Sequence, residues 1–223
     1  AILVSEMAGR AAIISRARDF GIILDKENDK EAIDYILATI KRKELSGYSY
    51  EDADASLEIL MKGIVEGKKE AANYYRKKYF KVDYFRVITD VRNVFDDPGV
   101  EIFSDANLKT LIKDTMGGGM FHTAAEGNGP VNAIDNALKK ALLYIYPTLE
   151  DIKLVDFKVR IVSGEDEKKG TGSVVRVLVK STDNSGKVWG TIGVHENIII
   201  AAFVALIDAY VYKLLKQGIK SAR

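Results

Sequence analysis

The run Phe121-His122-Thr123-Ala124-Ala125-Glu126 passes through Gly127-Asn128-Gly129-Pro130 straight into Val131-Asn132-Ala133. This confines the chain to folds in which a strand turns sharply into a helix. Gly127 and Gly129 let the backbone turn where side chains would clash. Pro130 suits a first helical turn, where its missing N–H costs nothing. A second such junction stands 68 positions on. Trp189-Gly190-Thr191 lies over Phe121-His122-Thr123, Asn197 over Gly129 and Ala201 over Ala133.

The surrounding pattern repeats as well. Residues 82–91, 107–114 and 119–124 read as strands. Pro130 to Tyr146 then carries Ile134, Ala137, Leu138, Ala141 and Leu142 at helical spacing. Next, residues 152–162, 173–181 and 187–194 read as strands, and a helix runs from Glu196 to about Lys216. In the first of these, Val155, Phe157, Val159 and Ile161 share one face. The expected fold class is α+β, with a duplicated βββα domain built on antiparallel sheets. The last helix is apolar around most of its girth, which calls for burial on several sides and suggests a subunit interface.

Residues 1–81 read differently. Ile33, Ile36, Leu37 and Ile40 mark one helix, and Leu57, Leu60, Met61 and Ile64 mark a second over about 51–66. The lysine-rich stretch 67–78 reads as a solvated helix or connector. The expected organisation is a helical unit over 1–81 followed by the β-rich domain over 82–223.

Composition excludes several functions. A net charge of +1 argues against nucleic-acid binding by counterion release, and basic clusters such as Lys41-Arg42-Lys43 sit among acids. The absence of cysteine removes disulfides and thiolate chemistry. The uninterrupted apolar run from Ile198 to Ile207 is too short to span a bilayer, and no signal peptide is visible, so no membrane partner and a cytoplasmic location are expected. With His122 and His195 as the only histidines, no catalytic set and no metal-ligand spacing stand out.

The segment His122 to Ala133 resembles the signature of the C-terminal regulatory domain of the 2-isopropylmalate synthase and citramalate synthase family. Leu149 to Arg160 is similar to the strand after its first regulatory helix, and Trp189 to Ile199 to its second strand-to-helix junction. Ile2 to Arg10 resembles the segment that follows the catalytic barrel in the citramalate synthase branch. The resemblance implies helical post-barrel linker subdomains followed by a dimerising regulatory domain. The N-terminal TIM barrel, with its divalent metal and its substrate acetyl-CoA, would lie outside this chain, which would be inactive alone and hold no cofactor. The implied partners are a second copy of the chain, the missing barrel, and isoleucine or leucine as a feedback effector. A 2-isopropylmalate synthase and a free-standing amino-acid-sensing module are the alternative readings.

An amino-acid effector needs donors for its carboxylate, an acceptor for its ammonium and an apolar pocket. The helix start at Gly127, Gly129, Pro130 and Val131 offers free backbone N–H groups, though it also reads as a plain strand-to-helix connection. Asn128 and Asn132 offer acceptors. The resemblance places effector contacts at positions matching Leu154, Phe157 and Ile161, which as alternating strand residues equally read as core. His195 precedes the second helix, as an effector contact or a cap.

Overall fold

Apolar residues at helical spacing build three N-terminal helices, α1 (Gly9–Asp19), α2 (Lys30–Leu45) and α3 (Asp54–Val65). The computed structural model describes residues 9–67, 71–92, 101–112, 119–162 and 173–219. Expectations placed on residues 2–8, 68–70 and 113–114 lie outside the described residues. Ile13 and Ala17 of α1, Ile33, Ile36 and Ile40 of α2, and Leu57, Leu60 and Met61 of α3 form one apolar core. Helix α1 carries a weak sequence signal because it buries mostly small residues: Gly9, Ala12 and Ala17 besides Ile13. Helix α4 (Ala71–Tyr79) follows.

Two compact units divide the chain. The first takes residues up to Tyr75, with Leu154–Thr182 and Gly186–Tyr212. The second takes Arg76–Lys153, Asp183–Ser185 and the residues from Lys213 on.

In the second unit, β1 (Phe80–Arg92), β2 (Glu101–Ile112) and β3 (Gly119–Gly127) form an antiparallel sheet in that order. Strand β2 begins earlier than its apolar pattern suggests, because Ser104, Asp105 and Asn107 interrupt the alternation while their backbone pairs with β1. Helix α5 (Pro130–Leu142) covers one face, where Ser104, Ala106, Leu108 and Thr110 are buried. It ends four residues before Tyr146. Pro147 disfavours helical backbone at the residue before it, and a 3₁₀ turn follows at Pro147–Leu149. Tyr146 donates its hydroxyl hydrogen to the carbonyl of Tyr79 at 3.0 Å.

An ion cluster closes this unit. Lys213, buried, lies against Asp151 and within 3.4 Å of Asp183. The Lys213 ammonium holds the Asp151 carboxyl below the usual range. The Ser185 hydroxyl, with help from Lys213, does the same for Asp183. Depressed carboxyl pKa values contribute stability that is complete above about pH 4, the unfolded range, and is lost as pH falls through the folded values. Lys213→Met is therefore expected to destabilise the chain by about 2 kcal/mol at neutral pH. It should also flatten the acid side of its stability profile. Urea unfolding between pH 7 and pH 3 checks both; an unchanged pH slope in the variant would remove Lys213 from that role.

In the first unit, β4 (Lys153–Ile161), β5 (Val175–Thr182) and β6 (Val188–His195) form the second sheet in that order. Strands β5 and β6 are antiparallel, with Val177 opposite Gly193 and Val179 opposite Thr191. Strand β6 is covered on both faces. Helix α6 (Ile198–Lys216) meets the face of Trp189, Thr191 and Gly193, where Thr191 donates to the Ala205 carbonyl at 2.7 Å. The segment leading into α3 meets the other face, with Gly190 under the Asp52 carbonyl and Ser56 bonded to the Ile192 N–H at 3.0 Å. Arg176 donates to the Gly47 carbonyl at 2.5 Å, and Lys180 pairs with Asp52 at 3.4 Å. Beyond them, β4 is left open. Val155 is 52%, Val159 41% and Ile161 66% exposed, so the alternating apolar face expected to be core is uncovered in the single chain.

The uninterrupted run in α6 understated the helix. With 19 residues and a mean hydropathy of 2.1 over an 18-residue stretch of them, it is long and apolar enough to cross a membrane by length and composition. Within the molecule 61% of that span is buried, and it carries the buried Asp208 and Lys213.

Candidate functional site

The corner between β3 and α5 is built by close approach. A Cβ on Gly127 would lie 2.7 Å from the Ala133 Cα and closer still to its nitrogen, so only glycine lets the strand end pass over the first helical turn. Gly129 is under no such demand. Its backbone is extended, at φ 179, with open space around it. Its carbonyl accepts the Ala133 N–H at 2.9 Å.

Side chains of α5 stitch the helix to the strand. Asn136 donates to the Glu126 carbonyl at 2.9 Å, and Lys140 to the Ala124 carbonyl at 3.2 Å. Thr123 donates in the other direction, to the Ala137 carbonyl at 2.8 Å. Asn132 Oδ1 accepts the Asn128 N–H at 3.1 Å, which folds the corner and leaves that oxygen one further lone pair. No side chain caps α5, and Pro130 occupies its first position. His122 and Glu126 are exposed, alternating with the residues that face α5.

The second corner is closed differently. Asn197 Oδ1 accepts the N–H groups of Ile199 at 2.8 Å and Ile200 at 3.3 Å, so the start of α6 is satisfied by its own cap. His195 Nδ1 accepts the Asn197 N–H at 2.8 Å, which places this histidine in the turn. A Cβ on Gly193 would reach 2.8 Å from the Ala201 carbonyl carbon. The Thr191–Ala205 hydrogen bond stands 68 positions from the Thr123–Ala137 bond in both of its residues.

The expected effector residues divide between the units. Gly127, Asn128, Gly129, Pro130, Val131 and Asn132 belong to the second; Leu154, Phe157, Ile161 and His195 belong to the first. Leu154 and Ile161 are exposed and Phe157 is half-buried. Among the described residues, no three His, Cys, Asp or Glu side chains converge to hold a metal ion, so no residue here is assigned to one.

Sequence reasoning missed the buried polar groups. Ser56 donates to Asp208 Oδ2 at 2.8 Å. Glu58, 1% exposed, pairs with Lys62 at 2.7 Å. Burial, with Glu58 beside it, pushes the Tyr212 hydroxyl pKa well up. The available signal was Asp208 and Lys213 standing within an otherwise apolar helix.

Residues 51–214 match the LeuA allosteric (dimerisation) domain. The chain belongs to this family. It is 42% identical over 221 residues to the (R)-citramalate synthase of Streptomyces coelicolor, covering 99% of this chain and 37% of that protein. The Geobacter sulfurreducens (R)-citramalate synthase is 44% identical over 216 residues, 97% of this chain and 37% of that protein. The Aquifex aeolicus (R)-citramalate synthase is 40% identical over 219 residues, with shares of 97% and 37%. The chain thus spans 37% of the length of these relatives. Both corners and α5 lie inside the matched LeuA-type region, as does α6 except for its last two residues.

Proposed function

We propose that this LeuA-type chain is the feedback-regulatory region of an acetyl-CoA-dependent 2-oxo acid acyltransferase, an (R)-citramalate synthase, and that it binds isoleucine as a homodimer in the cytoplasm. The observation that carries the reading is the 40–44% identity to (R)-citramalate synthases over nearly the whole chain. Residues 1–81 act as the linker to a catalytic barrel that binds acetyl-CoA and a divalent metal, and residues 82–223 as a duplicated βββα regulatory domain. The paired threonine hydrogen bonds at a constant 68-residue offset support the duplication. The open apolar face of β4 supports a second copy as its cover, since exposed apolar strand residues at an edge favour association.

The effector carboxylate takes the uncapped start of α5, near Gly129 and Val131, because the start of α6 is already filled by Asn197. Asn128 and Asn132, on the same corner, receive the ammonium. Binding one arrangement of linker and barrel better than another, with a coupling of about 1–3 kcal/mol, is sufficient for feedback. The chain by itself performs no condensation.

Isothermal titration with isoleucine, leucine and valine, alongside the mass in solution, tests the reading. The expected result is a dimer that prefers isoleucine. Preference for leucine would move the parent to the 2-isopropylmalate synthase branch, and no binding by a folded dimer would sink the effector assignment. Val131→Asp sets a negative charge beside the expected carboxylate. It should weaken binding by about tenfold or more with the fold intact; unchanged affinity would move the site elsewhere.

A further inference from the structure

Helix α1 and the loop leading into α2 enclose a surface cavity of about 330 Å³. Arg10, Ser15 and Arg18 line it from α1, Lys26 lines it from the loop, and Ala11 and Ile14 form an apolar wall. The α1 residues share one side because they recur at three- and four-residue intervals.

The charges in this cavity are unequally balanced. Arg10 Nε and Nη2 donate to the two carboxylate oxygens of Asp34 at 2.6 and 2.7 Å, which fixes one edge of its guanidinium and neutralises it. Among the described residues, the side chains of Arg18 and Lys26 make no ion pair or hydrogen bond. Two of the acids near Lys26 in sequence, Asp25 and Asp29, serve the loop's own backbone. Asp25 accepts the N–H groups of Glu27 and Asn28 at 3.0 and 2.8 Å, and Asp29 accepts that of Asp25 at 2.8 Å. Two cations without an ion-pair partner therefore stand in one concave site, beside a hydroxyl and an apolar wall.

We infer that this cavity binds a small organic phosphate, a phosphomonoester whose two negative charges match Arg18 and Lys26. A monocarboxylate would balance only one of them. A phosphoryl group presents three acceptor oxygens, enough to take the Arg18 fork, the Lys26 ammonium and the Ser15 hydroxyl together. The fixed Arg10 has a remaining nitrogen to add, and Ala11 with Ile14 receives the organic part. A cavity of this volume suits a small molecule rather than a polymer. None of these residues is used by the effector reading, so the two stand or fall separately.

Calorimetric titration of the chain with AMP, inorganic phosphate and L-malate tests this. AMP is expected to bind, phosphate more weakly because it lacks the organic part, and malate least. Arg18→Gln/Lys26→Gln should weaken AMP by about tenfold or more. Arg86→Gln/Lys153→Gln, which removes the same charge from exposed positions outside the cavity, should leave it unchanged. All four side chains are exposed, and far-UV circular dichroism verifies that both variants fold. No AMP binding, malate binding as tight as AMP, or equal losses in the two double variants would overturn the assignment.

Discussion

Gly193→Ala should lose about 3 kcal/mol of folding stability, because its new methyl group has nowhere to go. A Cβ there sits 2.8 Å from the Ala201 carbonyl carbon and 3.1 Å from the Ala205 nitrogen, and closer still to the Ala201 oxygen. These are backbone atoms of α6, so the helix must lift from β6. The lift also stretches the Thr191–Ala205 hydrogen bond and uncovers Val177 and Val179, both 0% exposed. Gly190→Ala meets the Asp52 backbone on the opposite face of β6 and should behave alike. Gly129→Ala supplies the contrast. Its extended backbone and empty surroundings predict a change within about 0.5 kcal/mol. Urea midpoints of the three variants, read at constant m-value, decide it. A Gly193→Ala protein as stable as Gly129→Ala would mean that α6 does not seat on β6 through this glycine.

The second large effect concerns Ser56, whose hydroxyl joins three elements of the first unit. It accepts the Ile192 N–H of β6 at 3.0 Å and donates to Asp208 of α6 at 2.8 Å, from its place on α3. Ser56 is 5% and Asp208 2% exposed, so water does not replace what is lost. Ser56→Ala strands a buried N–H and takes one donor from a buried carboxylate, a loss of about 2–4 kcal/mol. The double variant with Asp208→Ala should lose less than the sum of the single changes, since the carboxylate that misses its donor is then gone. Additive losses would show that the two groups do not act on one another. A Ser56→Ala loss below about 0.5 kcal/mol would remove the hydroxyl from its bridging role.

These two sites mark where local reading stops. The spacing of Ile134, Ala137, Leu138 and Ala141 predicts α5, and the structure has it, with Pro130 at its start. Helix α1 and the first half of β2 were obscured, one by small residues and the other by polar ones, since both elements depend on partners rather than on a strong period. The corner at Gly127 and Pro130 was legible because turning and starting a helix are local demands, although Gly129 proved free of the demand placed on it. The Ser56 network was not, since it joins positions 136 and 152 residues apart.

The sequence by itself determined the order of the six strands and of α2, α3, α5 and α6, the α+β class and the two strand-to-helix corners, because each follows from the period and turn chemistry of a short segment. Tertiary structure decided the rest. It made Gly127 and Gly193 obligatory through close backbone approach while leaving Gly129 free, and it closed the start of α6 with Asn197 while α5 stayed uncapped. It also left the apolar alternation of β4 facing outward. Alternation fixes which residues share a face, but only the neighbours that a strand acquires decide whether that face is covered.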